Sequence, residues 1–255
     1  MKQPAQVLVE VAVDGVAGAV AAARAGAHRL ELCAALGEGG LTPSLGMLAA
    51  VLAAVPGVPV LAMLRPRGGD FLYDPDELDV VRRDAGHLLA AGAAGVVFGA
   101  LRADGSIDTA SVAGVVAAAA GRPVTFHRAF DLCRDARSAL VELHRLGVAR
   151  VLSSGQAAQA PTGSAVLAEL VALAPPGLTV IAGAGVRAHH LRAQVGRARV
   201  REGPQSATTW RASAMQFRRA GVPMGAQLPA DEYQRRGTDP AEVAAVVAAV
   251  QATGG

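Results

Sequence analysis

Lysine is almost missing from this chain. Of its 255 residues 24 are Lys or Arg, and the only lysine is Lys2. Schiff-base chemistry needs an amine held inside a fold, so lysine-dependent aldolase and pyridoxal-phosphate reactions are excluded. Aromatic residues make up 3%, too few to build a platform for stacked bases. The two cysteines, Cys33 and Cys133, do not make a disulfide framework, and no secretory leader pattern opens the chain. A reducing cytoplasm is the expected compartment. No apolar run is both long and free of helix breakers, so no membrane span is expected. The net charge is only +3 despite a pI near 9.4. The arginine excess is spread along the chain, and its densest part (Arg187, Arg192, Arg197, Arg199, Arg201) reads as a solvated face. A nucleic-acid partner is not expected.

What the chain does have is apolar mass in a repeating order. Hydrophobic residues are 52% and charged residues 18%, enough for a large core. Short β-rich runs alternate with Ala-rich helical stretches. The strands are expected at Val7–Val13, Arg29–Cys33, Val58–Met63, Gly95–Phe98, Val124–His127, Arg150–Ser153, Thr179–Ala182 and, weakly, Arg199–Glu202. Helices are expected between them, including a short one near His189–Val195, and a last one from Pro240 to about Ala252. Glycine precedes several strands, where it ends a helix in the left-handed conformation. Eight strand–helix units in a chain of this length predict a single (β/α)8 TIM-barrel domain over 1–255. An open doubly wound sheet would need Gly-x-Gly-x-x-Gly after strand one, and Asp14-Gly15-Val16-Ala17-Gly18 does not supply it.

In such a barrel the working residues sit at the C-terminal ends of the strands. Polar residues fall in those places: Glu10 and Asp14, Glu31 and Cys33, Arg65, Arg67 and Asp70, His127, Arg128 and Asp131, Ser153 and Ser154. The densest run is Leu64-Arg65-Pro66-Arg67-Gly68-Gly69-Asp70-Phe71-Leu72-Tyr73. Its guanidinium forks can grip carboxylate or phosphate oxygens, or an Arg–Asp pair can brace the loop. Glu10 and Glu31, on neighbouring strands, can bind a metal, transfer protons with His127, or form a buried ionic lattice with Arg65 or Arg128. Repulsion between the two carboxylates calls for a cation between them, and Arg65 is the expected bridge. Gly183-Ala184-Gly185 with Gln205-Ser206-Ala207 has the form of a split phosphate site. Cys33 can ligate a soft metal such as Cu(I), with Met63 and Cys133 as possible neighbours, or serve as a small buried hydrophobe. The zinc-hydrolase pattern His-Glu-x-x-His is lacking.

Several of these runs together resemble one family. Glu31-Leu32-Cys33, Glu38-Gly39-Gly40-Leu41-Thr42-Pro43-Ser44, Arg65 to Tyr73, Thr125-Phe126-His127-Arg128-Ala129-Phe130-Asp131 and Val151-Leu152-Ser153-Ser154-Gly155 are similar to the CutC family of copper homeostasis proteins. The resemblance covers nearly the whole chain. It implies a (β/α)8 barrel, a cytoplasmic and often oligomeric protein, and a Cu(I)-binding role in which Cys33 carries over. Three positions depart from the family pattern. Ala12 stands where a first cysteine is expected, Pro204 where a histidine is expected, and Ala184 where a central glycine is expected.

Two functional expectations follow. One is copper homeostasis with Cu(I) at Cys33 and a non-cysteine partner. The other is a barrel enzyme acting on a small anionic substrate, phosphorylated ones included. That enzyme would use Glu10, Glu31 and His127 for proton transfer. Arg65, Arg67, Asp70, Arg128, Gly183, Gly185 and Ser206 would bind the anion.

Overall fold

The computed structural model describes residues 8–188, 202–205, 207–219, 221–222 and 232–253. Eight parallel strands close into a barrel: β1 (Leu8–Val13), β2 (Arg29–Leu32), β3 (Val60–Met63), β4 (Gly95–Phe98), β5 (Val124–Phe126), β6 (Arg150–Ser153), β7 (Thr179–Ala182) and β8 (Glu202–Gln205). Helices α1 (Val16–Arg24), α2 (Leu45–Ala54), α3 (Pro75–Ala90), α4 (Thr109–Ala119), α5 (Ala136–Arg145), α6 (Ser164–Leu173) and α7 (Pro240–Thr253) are described around it. The expected (β/α)8 barrel is therefore observed. The helix expected near His189–Val195 lies outside the described residues. The eighth strand runs over Glu202–Gln205, later than the expected Arg199–Glu202. An antiparallel pair that the sequence reading did not anticipate, β9 (Thr208–Ala212) and β10 (Gln234–Thr238), is inserted before α7.

Helix starts follow from capping chemistry. Asp74 accepts from the Glu77 backbone N–H at 2.8 Å while Glu77 accepts from the Asp74 N–H at 2.9 Å, and Pro75 occupies the first turn. This reciprocal box satisfies donors that a helix start leaves free. Ser44, Asp108 and Asp135 cap α2, α4 and α5 in the same manner with one side chain each.

The main core lies between strands and helices. Val9, Val11, Val13, Leu30, Leu32, Val96, Phe98 and Phe126 point outward onto Leu48, Val51, Leu88, Val112, Leu140 and Leu143. Burying each such side chain contributes roughly 1.5–3 kcal/mol. Alternation sends the neighbouring residues inward. Cys33, Leu61, Met63 and Val97 form a separate apolar cluster there. In a barrel of this stagger, equal height advances about one residue per strand. The observed registers then place Ala12, Met63, His127 and Gly183 in one interior layer, with Glu31, Val97 and Leu152 in the layer below.

After β7 the chain turns through Ala184 at φ 65 and Gly185 at φ 70. The left-handed region costs an L-residue roughly 1–2 kcal/mol, and glycine nothing. A Cβ on Gly185 would meet Gln159 Cδ at 2.9 Å. Ala184→Gly is expected to stabilise the fold by about 1 kcal/mol, a melting-temperature rise of roughly 2–4 °C by calorimetry. Gly185→Ala is expected to lower it by at least as much.

Candidate functional site

The interior polar set begins at the lower end of the barrel. Glu10 of β1 is directly opposite Arg29 of β2 in the register, and the Arg29 Nε–H donates to Glu10 Oε2. Both are buried, Glu10 to 1% exposure. Arg29, not Arg65, is thus the cation beside Glu10. Arg29, Glu31 and Cys33 alternate along one strand face, which is the signal that could have located it.

Glu31 lies on the same inner wall. The Cys33 thiol donates to its Oε1 at 3.6 Å. Burial first, and the nearby Glu10 charge second, push the Glu31 carboxyl up to about 8. Burial and the Glu31 carboxyl together push the Cys33 thiol well above its ordinary value. Glu10 Oε1 and Glu31 Oε2 are buried and have no hydrogen-bond partner in the protein.

No hydrogen bond joins His127 to the glutamates. It follows β5 and caps the single turn Arg128–Leu132. Its Nδ1 accepts from the Ala129 N–H at 3.2 Å, which places the ring proton on Nε2. Phe71 covers the ring at 4.8 Å between centroids. Burial, with the Arg65 charge second, lowers its pKa to about 3. The neutral ring therefore presents an Nε2–H donor.

Arg65 is buried at 6% exposure. Its Nη1 donates to the Glu38 carbonyl at 2.8 Å and the Gly40 carbonyl at 3.2 Å, and its Nη2 to the Gly69 carbonyl at 2.9 Å. It clamps the loop after β2 to the loop after β3. Arg67 donates to Glu77, to Asp70 and to the carbonyls of Gly68, Asp70 and Leu72. Asp70 is exposed and pairs with Arg67. The run that suggested an anion clamp is, in the structure, a braced loop. Arg128 donates to Asp131 at 2.8 Å and Ser154 Oγ at 2.9 Å. Asp131 also accepts from Ser153 Oγ at 2.7 Å and from the backbone N–H groups of Ser154 and Gln156. The Gly183 N–H is used by the Ser153 carbonyl at 2.9 Å. Ser206 lies outside the described residues.

Above the mouth the β9–β10 pair and the loops after β1, β2 and β3 enclose a cleft of about 1140 Å³, lined by Asp14, Glu38, Trp210, Arg235 and Arg236 among others. The sequence reading did not foresee this cleft, because it depends on where the inserted pair folds back.

The comparisons with known proteins fit this architecture. The profile of the CutC family matches residues 7–209. The chain belongs to the CutC family. A family protein CutC of Chromobacterium violaceum is 44% identical over 239 residues, which is 94% of this chain and 96% of that one. A copper homeostasis protein cutC homolog of Homo sapiens is 43% identical over 236 residues, 92% of this chain and 86% of that one. The crystal structure of a CutC from Streptococcus agalactiae superposes with a TM-score of 0.74 at 27% identity, covering 78% of this chain and 97% of that one. A structure titled native KDPGal, at 15% identity and a TM-score of 0.57, shares the fold alone.

The Glu31 carboxyl sets a pH dependence. Its ordinary value is 4.5 and folding raises it to about 8. Over that window the unfolded chain holds fewer protons than the folded one, so stability falls as pH rises. The slope approaches ~1.4 kcal/mol per pH unit. Denaturant titrations of the metal-free protein between these pH values should show the decline. Glu31→Gln should flatten it and be the more stable protein at the alkaline end. Parallel curves for the two proteins would mean that Glu31 titrates normally.

Proposed function

We propose that this CutC-family chain takes part in copper homeostasis by holding Cu(I), as cargo, between Cys33 and Met63. The observation that carries the reading is the approach of both side chains to Gly40. A Cβ placed on Gly40 would meet Cys33 Sγ at 3.0 Å and Met63 Cε at 3.6 Å. A thiol and a thioether thus share one buried spot on adjacent strands. Cu(I) prefers sulfur donors of these two kinds. Among the described residues no three His, Cys, Asp or Glu side chains gather as a metal cage, so the sulfur pair is the donor set this interior offers.

The residues around the pair support the assignment. Leu36, Leu61 and Val97 wall it off from water, which protects Cu(I) from oxidation and exchange. Glu31 stands at hydrogen-bond distance from the thiol, which must give up its proton on binding metal. Both cysteines are free and buried, as a protein of the reducing cytoplasm requires. Among the described residues no helix is long and apolar enough to cross a membrane. The copper role borne in the name of the human relative supports the same reading.

Competition against a chromophoric Cu(I) chelator, under reductant, tests it. Wild type should take up Cu(I), Cys33→Ser should lose uptake, and Met63→Leu should weaken it by about tenfold, the ~1.4 kcal/mol scale of one lost soft contact. Ala12 pairs with Glu31 and shares a layer with Met63. Ala12→Cys therefore adds a further interior sulfur, and about tenfold tighter binding is expected. Uptake unchanged by Cys33→Ser overturns the assignment.

A further inference from the structure

We infer that the barrel interior also holds a small hydroxylated carbonyl compound, with its carbonyl oxygen on His127 Nε2 and a hydroxyl toward Glu31 and Glu10. The inference goes beyond copper binding and uses different atoms. It starts from polar groups that the fold leaves unmatched. His127 is buried at 4% exposure, and its Nε2 has no hydrogen-bond partner in the protein. The Ala129 N–H holds Nδ1, so the ring cannot turn over without breaking that bond. The Nε2–H is a donor fixed in place. On the opposite side of the barrel Glu10 Oε1 and Glu31 Oε2 are also buried and unmatched. Native folds leave few such atoms, because each one costs the desolvation of a polar group.

The layers supply the space. A barrel interior is normally filled by four bulky side chains per layer. The layer of His127 has Ala12 and Gly183 as two of its four members. Directly above it stand Cys33, Gly99 and Ser154, all small. Gly99 has no alternative, since a Cβ there would meet His127 Nδ1 at 2.5 Å. Met63, Leu61 and Val97 give the space an apolar flank. The His127 donor and the unmatched oxygens of Glu10 and Glu31 belong to opposite walls of the barrel, so the matching ligand carries an acceptor oxygen at one end and, at the other, a hydroxyl, which can both donate and accept. A phosphate ester fits less well, because the donors of Arg67 and most of those of Arg65 are already engaged by their own loops.

The arrangement also specifies a chemical effect. A neutral imidazole N–H, already oriented, polarises a carbonyl without transferring a proton to it, and donors that need no reorganisation are effective for this. His127 is then a binding residue whose donor is set by the Ala129 backbone.

Dihydroxyacetone is the probe. In metal-free, ¹⁵N-labelled protein the His127 Nε2–H resonance should shift in a saturable way as dihydroxyacetone is added. Followed by the backbone amide shifts of Ala129 and Gly99, which all the proteins keep, His127→Ala, shown to be folded by its melting curve, should bind about tenfold more weakly than wild type, and His127→Gln, which keeps an N–H donor, should recover part of the loss. Two results overturn the inference. One is a resonance that stays unmoved up to high millimolar dihydroxyacetone, which assigns the gap to water. The other is a folded His127→Ala that binds the probe as wild type does. Because no copper is present, neither result bears on the Cu(I) reading.

Discussion

A closed barrel gives every strand an inner face that water does not reach, and this chain places charges on it. Glu10 and Arg29 meet there through one register pair. Charges in a dry interior are tolerable only when paired and hydrogen-bonded. The pairing of β1 with β2 therefore has to be correct to the residue. A slip of either strand by one would turn its own glutamate outward into the apolar layer beneath the helices and its outward Val or Leu side chains inward. The ion pair contributes little as net stabilisation, but it penalises every wrong register. The remaining interior chemistry is arranged around this fixed edge: burial first, and the neighbouring carboxylate second, push up both the Glu31 carboxyl and the Cys33 thiol.

The mouth is organised differently. Arg65 does not face outward for a ligand but lies beneath two loops and holds three of their carbonyls. Phe71 packs between its guanidinium, 5.0 Å from the ring centroid, and His127. Asp131 performs the equivalent task on the far side, tying the turn after β5 to the loop after β6. Both devices use a charged side chain to replace backbone hydrogen bonds that an irregular loop cannot make for itself.

Much of the fold was legible in the sequence, for a local reason. Runs such as Val60–Met63 and Gly95–Phe98 are apolar throughout because a parallel barrel strand is buried on both faces. Ser44, Asp74 and Asp135 mark the helix starts by chemistry that needs no partner elsewhere. The strand-end residues were legible as a set, because polar residues in apolar runs are costly unless used. What each of them does was not. Arg65, Arg67 and Asp70 read as an anion grip, yet their partners are carbonyls and a carboxylate brought in by the third dimension. Arg29 escaped notice because it opens a strand instead of ending one. The donor state of His127 depends on a turn, Arg128–Leu132, that folds back on the ring. The β9–β10 pair carries Arg, Gly and Gln in β10, and no apolar run announces it.

The C-terminal helix has a consequence for how the molecule is made. Val243, Val246, Val247 and Val250 of α7 are buried, the helix packs on β1 and α1, and β1 is hydrogen-bonded to β8. Synthesis makes β1 before β8 and α7, so β1 waits for both before its free edge and outer face are covered. Until then the nascent chain is an open sheet with an exposed parallel edge, a form prone to pairing with other chains. Synthesis of β8 is therefore also the step that closes the ring, and a protein without α7 would leave the outer face of β1 bare beside that seam.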